Sequence, residues 1–289
     1  MHNKPFYMPL TSTPFRSDES YMEMNPCKEL SSYIRCYWGT KRPIVQVEND
    51  NKVDIVIPDT CVDIIYHIDY TDQLVEGGFC GINDHSFELT HRENNDHLVE
   101  TFAVRFYAWR AYAFTEDSLQ STMNGHFMVE SRFQWLDKIF RQNIFELKTL
   151  QEKVCFIEQQ LLKRLSNVRV NTIVNNTIQN ILINKGTLDI SDVARESFVS
   201  TRQLERLFHE YIGVTPKKLS NLIRYQFLWR DILSETDFDV FNAVYKYGYT
   251  DQSHLLREFK RYHSMDIYRA KAIAFENVGN IQDDRKNIL

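Results

Sequence analysis

The chain has 289 residues, of which 43% are hydrophobic and 25% charged, and its formal net charge is -5. These values are typical of a soluble globular protein that is long enough for two domains. No apolar run approaches the roughly 18 residues that a membrane-spanning helix needs, and the start of the chain lacks the pattern of a secretion signal. We therefore expect a cytoplasmic protein that does not bind membranes.

The cysteines also exclude some classes of site. Five are scattered along the sequence without a C-x-x-C pair: Cys27, Cys36, Cys61, Cys80 and Cys155. An odd number of separated cysteines argues against a disulfide framework and against a structural zinc site. We expect most of them to be buried thiols, and we predict neither a metal nor another cofactor.

The charge is unevenly distributed. Residues 171–275 carry 14 Lys and Arg against 12 Asp and Glu, a net charge of +2, whereas residues 1–170 carry a net charge of -6. A mildly positive C-terminal region permits nucleic-acid binding without establishing it, because local clustering of cations matters more than their sum.

The first part of the chain has the pattern of a β-rich domain. Apolar and polar residues alternate over residues 53–57, 61–68 and 101–107, and Pro58-Asp59 predicts a turn between the first two strands. Asn25 followed by Pro26 predicts the start of a short helix before Trp38.

From about Glu116 the apolar residues recur with helical spacing, which predicts two helices, at about 131–146 and 149–166. The second carries one apolar stripe: Leu150, Val154, Ile157, Leu161 and Leu165. Such a stripe forms either a dimer seam or an ordinary core face. We favour the dimer, because regulators that bind two DNA sites often pair.

Two short helices separated by a tight turn are predicted over residues 190–211. Ile190, Val193 and Ala194 face inward on the first, and Ser200 caps the second, from Thr201 to Tyr211. The second helix buries Leu204, Leu207 and Phe208, and its outer face carries the following residues: Arg202, Gln203, Glu205, Arg206 and His209. Arg and Gln are side chains that recognise purines in the major groove.

The same pattern recurs further along the chain. Val240, Ala243 and Val244 form the inner face of a short helix, Gly248 makes the turn, and Asp251 caps a helix that ends at Arg261. Leu255, Leu256 and Phe259 are expected to face inward, and Gln252, Ser253, His254, Arg257 and Lys260 outward. A long helix that begins at Pro216 joins the two units. A rigid joining helix would hold the two outer helices about 34 Å apart, one turn of B-DNA.

These residues closely resemble the AraC/XylS family of bacterial transcription regulators. The resemblance covers about 100 residues and lies in these segments: Asp192-Val193-Ala194, 200–208, Gly213-Val214-Thr215-Pro216, Arg224, 247–254, Arg257 and Phe259-Lys260-Arg261. It implies a domain with two helix-turn-helix units on a linker helix. The β-rich part resembles, more loosely, the regulatory domain that precedes this region in one group of such proteins.

The resemblance also implies DNA-contacting residues. Base contacts fall on Arg202, Glu205 and Arg206 of the first recognition helix and on Gln252, Ser253 and Arg257 of the second. Phosphate contacts fall on Ser200, Thr201, Lys217, Asp251 and Lys260, most of them at helix starts, where free N–H groups attract anions. Arg224 is expected to be structural or directed at phosphate. The alternative for any one of these residues is an ordinary solvated helix face.

The sequence departs from the family at two places. Phe198 stands in the first turn where the family usually has Gly, and it fits that turn if the backbone avoids positive φ. Ser264, Asp266 and Ile267 stand where Gly, Ser and Pro are usual, so the end of the domain is open to rearrangement.

Sites for small ligands are less clearly marked. Phe102, Arg105, Tyr107 and Trp109 could line an effector pocket, although aromatic residues in strands are more often core. His85, His91 and His97 recur among acidic residues that include Glu93, but a polar loop is favoured over a metal site. Cys61, His67 and Cys80 could form a sensing trio, against which core packing is favoured.

We therefore predict an α+β protein with a β-rich regulatory or ligand-sensing domain (1–115), a helical connecting or dimerisation segment (116–168), a double helix-turn-helix DNA-binding domain (169–275) and a polar tail (276–289). Its partners would be double-stranded DNA, RNA polymerase, a small-molecule effector and a second copy of the chain. No catalytic motif is present, so we expect a transcription regulator, most often an activator, and not an enzyme. The alternative is an antagonist that pairs with other regulators without binding DNA.

Overall fold

The computed structural model describes residues 7–13, 21–45, 54–89, 96–165, 168, 170–235 and 237–275. The predicted tail at 276–289, His91 and Glu93 lie outside these ranges. The described strands are β1 Ser12–Thr13, β2 Tyr21–Met24, β3 Ile34–Thr40, β4 Ile44–Val45, β5 Asp54–Val56, β6 Cys61–Asp69, β7 Leu74–Cys80, β8 Phe87–Leu89, β9 Leu98–Tyr107 and β10 His126–Met128. The described helices are α1 Ala108–Ala111, α2 Glu130–Asn143, α3 Leu150–Leu165, α4 Thr172–Ile183, α5 Ile190–Glu196, α6 Thr201–Tyr211, α7 Pro216–Ser234, α8 Val240–Lys246, α9 Gln252–His263 and α10 Ile267–Ala274.

The N-terminal half is built on an antiparallel sheet with the strand order β10-β7-β6-β9-β3-β2, in which β4 also pairs with β9. The longest pairing joins β6 to β9, from Cys61 opposite Tyr107 to Asp69 opposite Val99. A smaller sheet has the order β1-β5-β8. The three predicted strands are present, and the α+β class is confirmed: the β-rich half is followed by helices.

Helices α2 and α3 cover one face of the large sheet. Phe140 of α2 packs against Tyr66 of β6, with 4.6 Å between ring centroids, and against Phe102 of β9 at 5.1 Å. The apolar stripe of α3 is turned the same way, and α3 contacts β3. Its first four members, Leu150 to Leu161, are buried inside the chain. The prediction of a dimer seam along this stripe is therefore wrong, because the sheet of the same chain already covers it.

Two further details differ from the sequence analysis. The segment after Pro26 forms hydrogen-bonded turns rather than a helix, with the Leu30 N–H donating to the Cys27 carbonyl at 3.1 Å. The connecting segment also contributes β10, which pairs with β7 from His126 opposite Cys80 to Met128 opposite Gly78. This strand, together with α2 and α3, makes residues 126–165 part of the β-rich half.

One apolar core runs through both halves of the chain. The buried cluster extends from Tyr7 through the large sheet to Ala274 of α10. The first described segment joins the halves directly: the side-chain amide of Gln226 on α7 accepts from the Leu10 N–H and donates to the Leu10 carbonyl, both at 2.8 Å. Gln226 is fully buried and also donates to the Pro58 carbonyl at 2.6 Å. The linker helix therefore packs on the N-terminal half as well as within its own domain.

In the described ranges, no helix combines the length and the apolar content that crossing a bilayer requires.

Candidate nucleic-acid interface

Helices α5 and α6 form the first helix-turn-helix unit. Their facing sides bury the side chains that helical spacing predicted: Ile190, Val193, Ala194, Leu204, Leu207 and Phe208. Each helix begins at a side-chain cap, because Asp189 accepts from the Ser191 N–H at 2.7 Å and Ser200 Oγ accepts from the Gln203 N–H at 3.2 Å. The Ser200 cap fixes where α6 starts and therefore which side chains its outer face presents.

The outer face of α6 carries the predicted base-contacting residues. Arg202, Glu205 and Arg206 are all exposed, as is Gln203. The Arg206 guanidinium lies 4.0 Å from the Glu210 carboxylate one turn along the helix, and its side chain is 69% exposed. An exposed ion pair of this length is weak. The Arg206 guanidinium can exchange it for a base edge.

Helices α8 and α9 form the second unit on the same plan. Ala243, Val244, Leu255 and Phe259 are buried between them, and Asp251 caps α9 by accepting from the His254 N–H at 2.7 Å. The predicted contact residues Gln252, Ser253, Arg257 and Lys260 are exposed on the outer face of α9. The structure thus presents the predicted DNA-facing residues of both units to solvent.

One core assignment in α9 is wrong. Leu256, expected inside, is 41% exposed, and Glu258 occupies the inner face instead. Successive helical residues point about 100° apart, so Leu255 and Leu256 cannot both face a narrow core. Glu258 lies one turn after Leu255, and that spacing was a signal in the sequence for its inward position.

Glu258 joins the second recognition helix to the linker helix α7. Arg224 of α7, which is buried, donates to Glu258 Oε1 at 2.6 Å, and the Tyr249 hydroxyl donates to the same oxygen at 2.8 Å. The Arg224 guanidinium also lies over the Tyr249 ring, 4.2 Å from its centroid. Of the two roles predicted for Arg224, the structure supports the structural one. The 19-residue helix α7, about 28 Å long, is thereby fixed to α9.

Four of the five predicted phosphate contacts lie at or near helix starts, and the fifth, Lys260, lies in the last turn of α9. Ser200, Thr201, Lys217, Asp251 and Lys260 are all exposed. The Ser200 hydroxyl and the Asp251 carboxylate both act as helix caps. A carboxylate repels phosphate, so a contact at Asp251 would have to come from the backbone N–H groups that follow it, as at other helix N-termini.

The turn of the first unit has positive φ, contrary to expectation. Phe198 adopts a φ of 54°, close to the 63° of Gly248 in the second turn. At the end of the domain, Ser264 adopts a φ of 61° as the C-cap of α9, and Asp266 caps the following helix α10. The non-glycine residues at both places therefore take the left-handed conformation that Gly would adopt.

The N-terminal half contacts the C-terminal ends of both recognition helices. The Glu210 carbonyl of α6 accepts from the Leu119 N–H at 2.9 Å and from the Ser118 hydroxyl at 3.1 Å. The Tyr262 carbonyl of α9 accepts from the Ser86 N–H at 3.0 Å. These contacts leave the N-terminal halves of α6 and α9 uncovered. Recognition helices typically enter the major groove by their N-terminal residues.

The loop that contains Ser86 also reaches the start of α7. Lys218 Nζ lies 2.5 Å from Asp84 Oδ2, and the Asn124 amide also donates to the Asp84 carboxylate. Partial burial opposes ionisation of this carboxyl, but the hydrogen bonds from Lys218 and Asn124 hold its pKa below the ordinary value. The Asp84–Lys218 pair is thus an ionic contact between the two halves at neutral pH.

We expect Asp84→Ala to lower the free energy of unfolding by no more than about 1 kcal/mol, because the pair is partly exposed. The carboxyl has a lowered pKa in the folded state, so its contribution is fully present above the unfolded value near pH 4 and is lost as the pH falls below it. Urea denaturation of both proteins between pH 7 and pH 3 measures this, with Asp72→Ala as the control. A difference that stays constant down to pH 3 would contradict it.

The four residues proposed for an effector pocket are packed within the N-terminal half. Phe102 is fully buried, and Tyr107 stacks on Trp109 with 5.3 Å between ring centroids. Arg105 makes a bidentate contact with the Asp63 carboxylate at 2.9 and 3.1 Å. The Arg105 guanidinium also donates to the Thr11 hydroxyl at 2.7 Å. The hydrogen-bonding groups of Arg105 are thus engaged by Asp63 and Thr11, and an effector pocket lined by these four residues stays a prediction.

A partly open cavity of about 330 Å³ lies between the two halves of the chain. It is lined by Ile55, Ser86, Phe87, Glu88, Ser264 and Met265. The Ser86 hydroxyl donates to the Ser264 hydroxyl at 2.7 Å, and both residues line the cavity. A molecule in this space would touch both the β-rich half and the residue that ends α9.

The sensing groups considered in the sequence are separated in the fold. Cys61 is buried, His67 is exposed beside the Thr101 hydroxyl, and Cys80 contacts His126 with 3.0 Å from Sγ to Nδ1. His85 pairs with Asp84 at 3.2 Å. His97 lies with Asp69 and Asp72, and its 2.6 Å hydrogen bond to Asp69 raises the pKa of the imidazole. Asp69, Asp72 and His97 offer ligand atoms that all lie within 4.8 Å of one another, a grouping that is also common on protein surfaces without a metal ion.

Two parts of the chain match known family models. Residues 193–268 match a family model described as a helix-turn-helix domain, and residues 22–128 match a domain of unknown function, DUF6597. A search of curated proteins finds no match.

Solved structures of regulators are similar at low identity. An AraC-type transcriptional regulator from Chromobacterium violaceum is 23% identical over 36% of this chain and 94% of its own, with a TM-score of 0.33. An apo ToxT variant from Vibrio cholerae is 11% identical over 82% of this chain and 97% of its own, with a TM-score of 0.40. Wild-type ToxT from the same organism, bound to an unsaturated fatty acid, is 10% identical over 89% of this chain and 97% of its own, with a TM-score of 0.37.

Proposed function

We propose that the protein is a sequence-specific DNA-binding transcription regulator of the AraC type that acts as an activator, because residues 193–268 match a helix-turn-helix family model. One observation carries the proposal: the N-terminal halves of two capped recognition helices are exposed, and both helices pack on the same linker helix, α9 through the Arg224–Glu258 pair. Arg202, Glu205 and Arg206 would recognise bases in one major groove, and Gln252, Ser253 and Arg257 in the next. Arg is the commonest side chain in specific contacts to guanine.

The phosphate contacts of this complex would come from Ser200, Thr201, Lys217 and Lys260 and from the backbone at Asp251. Contacts of this kind set the position on the duplex and supply most of the affinity. The net charge of +2 over residues 171–275 is small, so binding would depend on these local groups rather than on a general positive surface.

A small-molecule signal would act through the contacts between the two halves. The cavity lined by Ser86 and Ser264 lies beside the end of α9, and the Asp84–Lys218 pair holds the start of α7. A molecule that changes either contact would change how the linker helix is held. The proposal includes RNA polymerase as the partner of an activator, and it includes no catalytic step.

Selection of bound sequences from a random pool of double-stranded DNA by the full chain tests the function. We expect one enriched motif with two parts, protected over about 20 base pairs, with an affinity that falls steeply with salt. The variant Arg202→Ala/Arg257→Ala should enrich no such motif while remaining folded. Failure of the wild-type chain to enrich any sequence would favour the antagonist that pairs with other regulators.

A further inference from the structure

The two helix-turn-helix turns of this chain have the same backbone but different residues at the same position. Phe198 and Gly248 have φ values of 54° and 63°. The hydrogen bonds also match: Val199 N–H donates to the Ala194 carbonyl at 3.1 Å, and Tyr249 N–H donates to the Val244 carbonyl at 3.0 Å. The second unit therefore shows that the turn can be made with glycine.

Phenylalanine is unfavourable in this conformation. A side chain at positive φ shifts the folding equilibrium against the native state by about fivefold to thirtyfold. Burial could offset that cost, but the Phe198 ring is 96% exposed, the largest value among the exposed apolar side chains of the described residues. A strained residue without compensating packing is an observation that points to a binding role.

The position of the ring indicates what it binds. Phe198 lies two residues before Ser200, the cap of α6, so its Cα is within about 7 Å of the start of the recognition helix. Thr201 and Arg202, the first two residues of α6, are also exposed. This end of α6 is the one expected to enter the major groove. Apolar side chains make specific contacts there with the 5-methyl group of thymine.

We propose that Phe198 is a specificity-determining residue of the first unit, and that its ring packs on a thymine methyl group at the edge of the DNA site. The inference rests on the proposed function and deepens it. The hydrogen-bonded turn fixes the backbone at Phe198, so only the side-chain torsions have to be ordered on binding. The second unit, with Gly248, makes no equivalent contact.

The test uses the full chain and the DNA duplex that the wild type selects. Thymines in the half of the site bound by the first unit are replaced one at a time by deoxyuridine, which lacks the methyl group. We expect wild-type affinity to fall about fourfold at one or two positions, the effect of losing one buried methyl contact. Phe198→Gly should bind the unmodified duplex about fourfold more weakly and should not respond to deoxyuridine at those positions.

Thermal stability serves as the control. Phe198→Gly is expected to weaken DNA binding but to stabilise the folded protein, so weaker binding could not come from unfolding. Phe198→Gly should raise the thermal midpoint by about 2 °C as the strain is removed. The reciprocal change Gly248→Ala should lower it, since a Cβ there meets only Thr187 Cβ at 3.9 Å and adds strain without a clash. Phe198→Asn, which tolerates positive φ, should behave like Phe198→Gly in DNA binding.

Three outcomes would overturn the proposal. Equal affinity and equal deoxyuridine response of Phe198→Gly and the wild type would show that the ring does not contact DNA. Unchanged DNA binding with lost activation in a reconstituted transcription assay would assign Phe198 to a protein contact. A wild-type chain that enriches no sequence would remove the proposed function itself, a failure visible before any Phe198 variant is compared.

Discussion

Replacing Arg224 by methionine is expected to lower the free energy of unfolding by about 3–5 kcal/mol. The substitution keeps much of the side-chain volume but removes the buried cation of the Glu258 carboxylate, so that only the exposed Arg261 guanidinium, 3.7 Å from Glu258 Oε2, remains as a cation beside it. The Tyr249 hydroxyl remains as a hydrogen-bond donor to Glu258, but it supplies no positive charge. Urea denaturation of the full chain measures the change.

The chain offers a closely matched control for Arg224→Met. The Arg195–Asp192 pair has the same 2.6 Å separation, but its side chains are 77% and 52% exposed, compared with 9% and 8% for Arg224 and Glu258. We expect Arg195→Met to change the unfolding free energy by less than about 1 kcal/mol. Similar losses in the two variants would show that burial does not set the strength of the Arg224 pair.

Replacing Arg206 by alanine is expected to weaken binding to the selected DNA by about 1–3 kcal/mol and to relax the base preference at one position of the first half-site. The physical reason is that an exposed guanidinium on the outer face of α6 can form two hydrogen bonds to a guanine edge, and alanine forms none. Competition binding against duplexes that vary one base at a time measures both effects.

Two further substitutions separate base recognition from general electrostatics. Lys260→Ala should weaken binding to all duplexes about equally and reduce the salt dependence by about one phosphate contact. Lys138→Ala removes an exposed cation from α2 in the N-terminal half and should leave both properties unchanged. If Arg206→Ala behaved like Lys260→Ala, Arg206 would be a phosphate contact rather than a base contact.

Much of the DNA-facing surface could be predicted from the sequence, because it depends on local rules. Caps and apolar spacing fix the starts and faces of short helices, and Ser200 and Asp251 are caps in the structure as predicted. The left-handed turn at Phe198 was missed because residue type argued against positive φ. Its hydrogen bonds, matched at Gly248, outweigh that preference.

Contacts between distant segments could not be predicted in the same way. Asp84 and Lys218 are 134 residues apart, and nothing in either local pattern indicates the other. The spacing of the apolar stripe of α3 is equally consistent with a dimer seam and with a core face. Only the position of β3 beneath it decided the question. The spacing between Leu255 and Glu258 in the sequence indicates that Glu258 faces inward, but nothing in the sequence indicates Arg224 as its partner.

The burial of Gln226 has a thermodynamic consequence for the whole chain. Its side-chain amide forms the two hydrogen bonds to the Leu10 backbone that a neighbouring strand would form. Separating the first segment from the linker helix would leave these buried polar groups unsatisfied, at a cost of about 1–3 kcal/mol for each group. Together with the continuous apolar cluster, the hydrogen bonds of Gln226 are expected to couple the unfolding of the C-terminal helices to that of the sheet. We therefore expect the two halves to unfold together as one cooperative unit, so that a substitution that destabilises one half also destabilises the other.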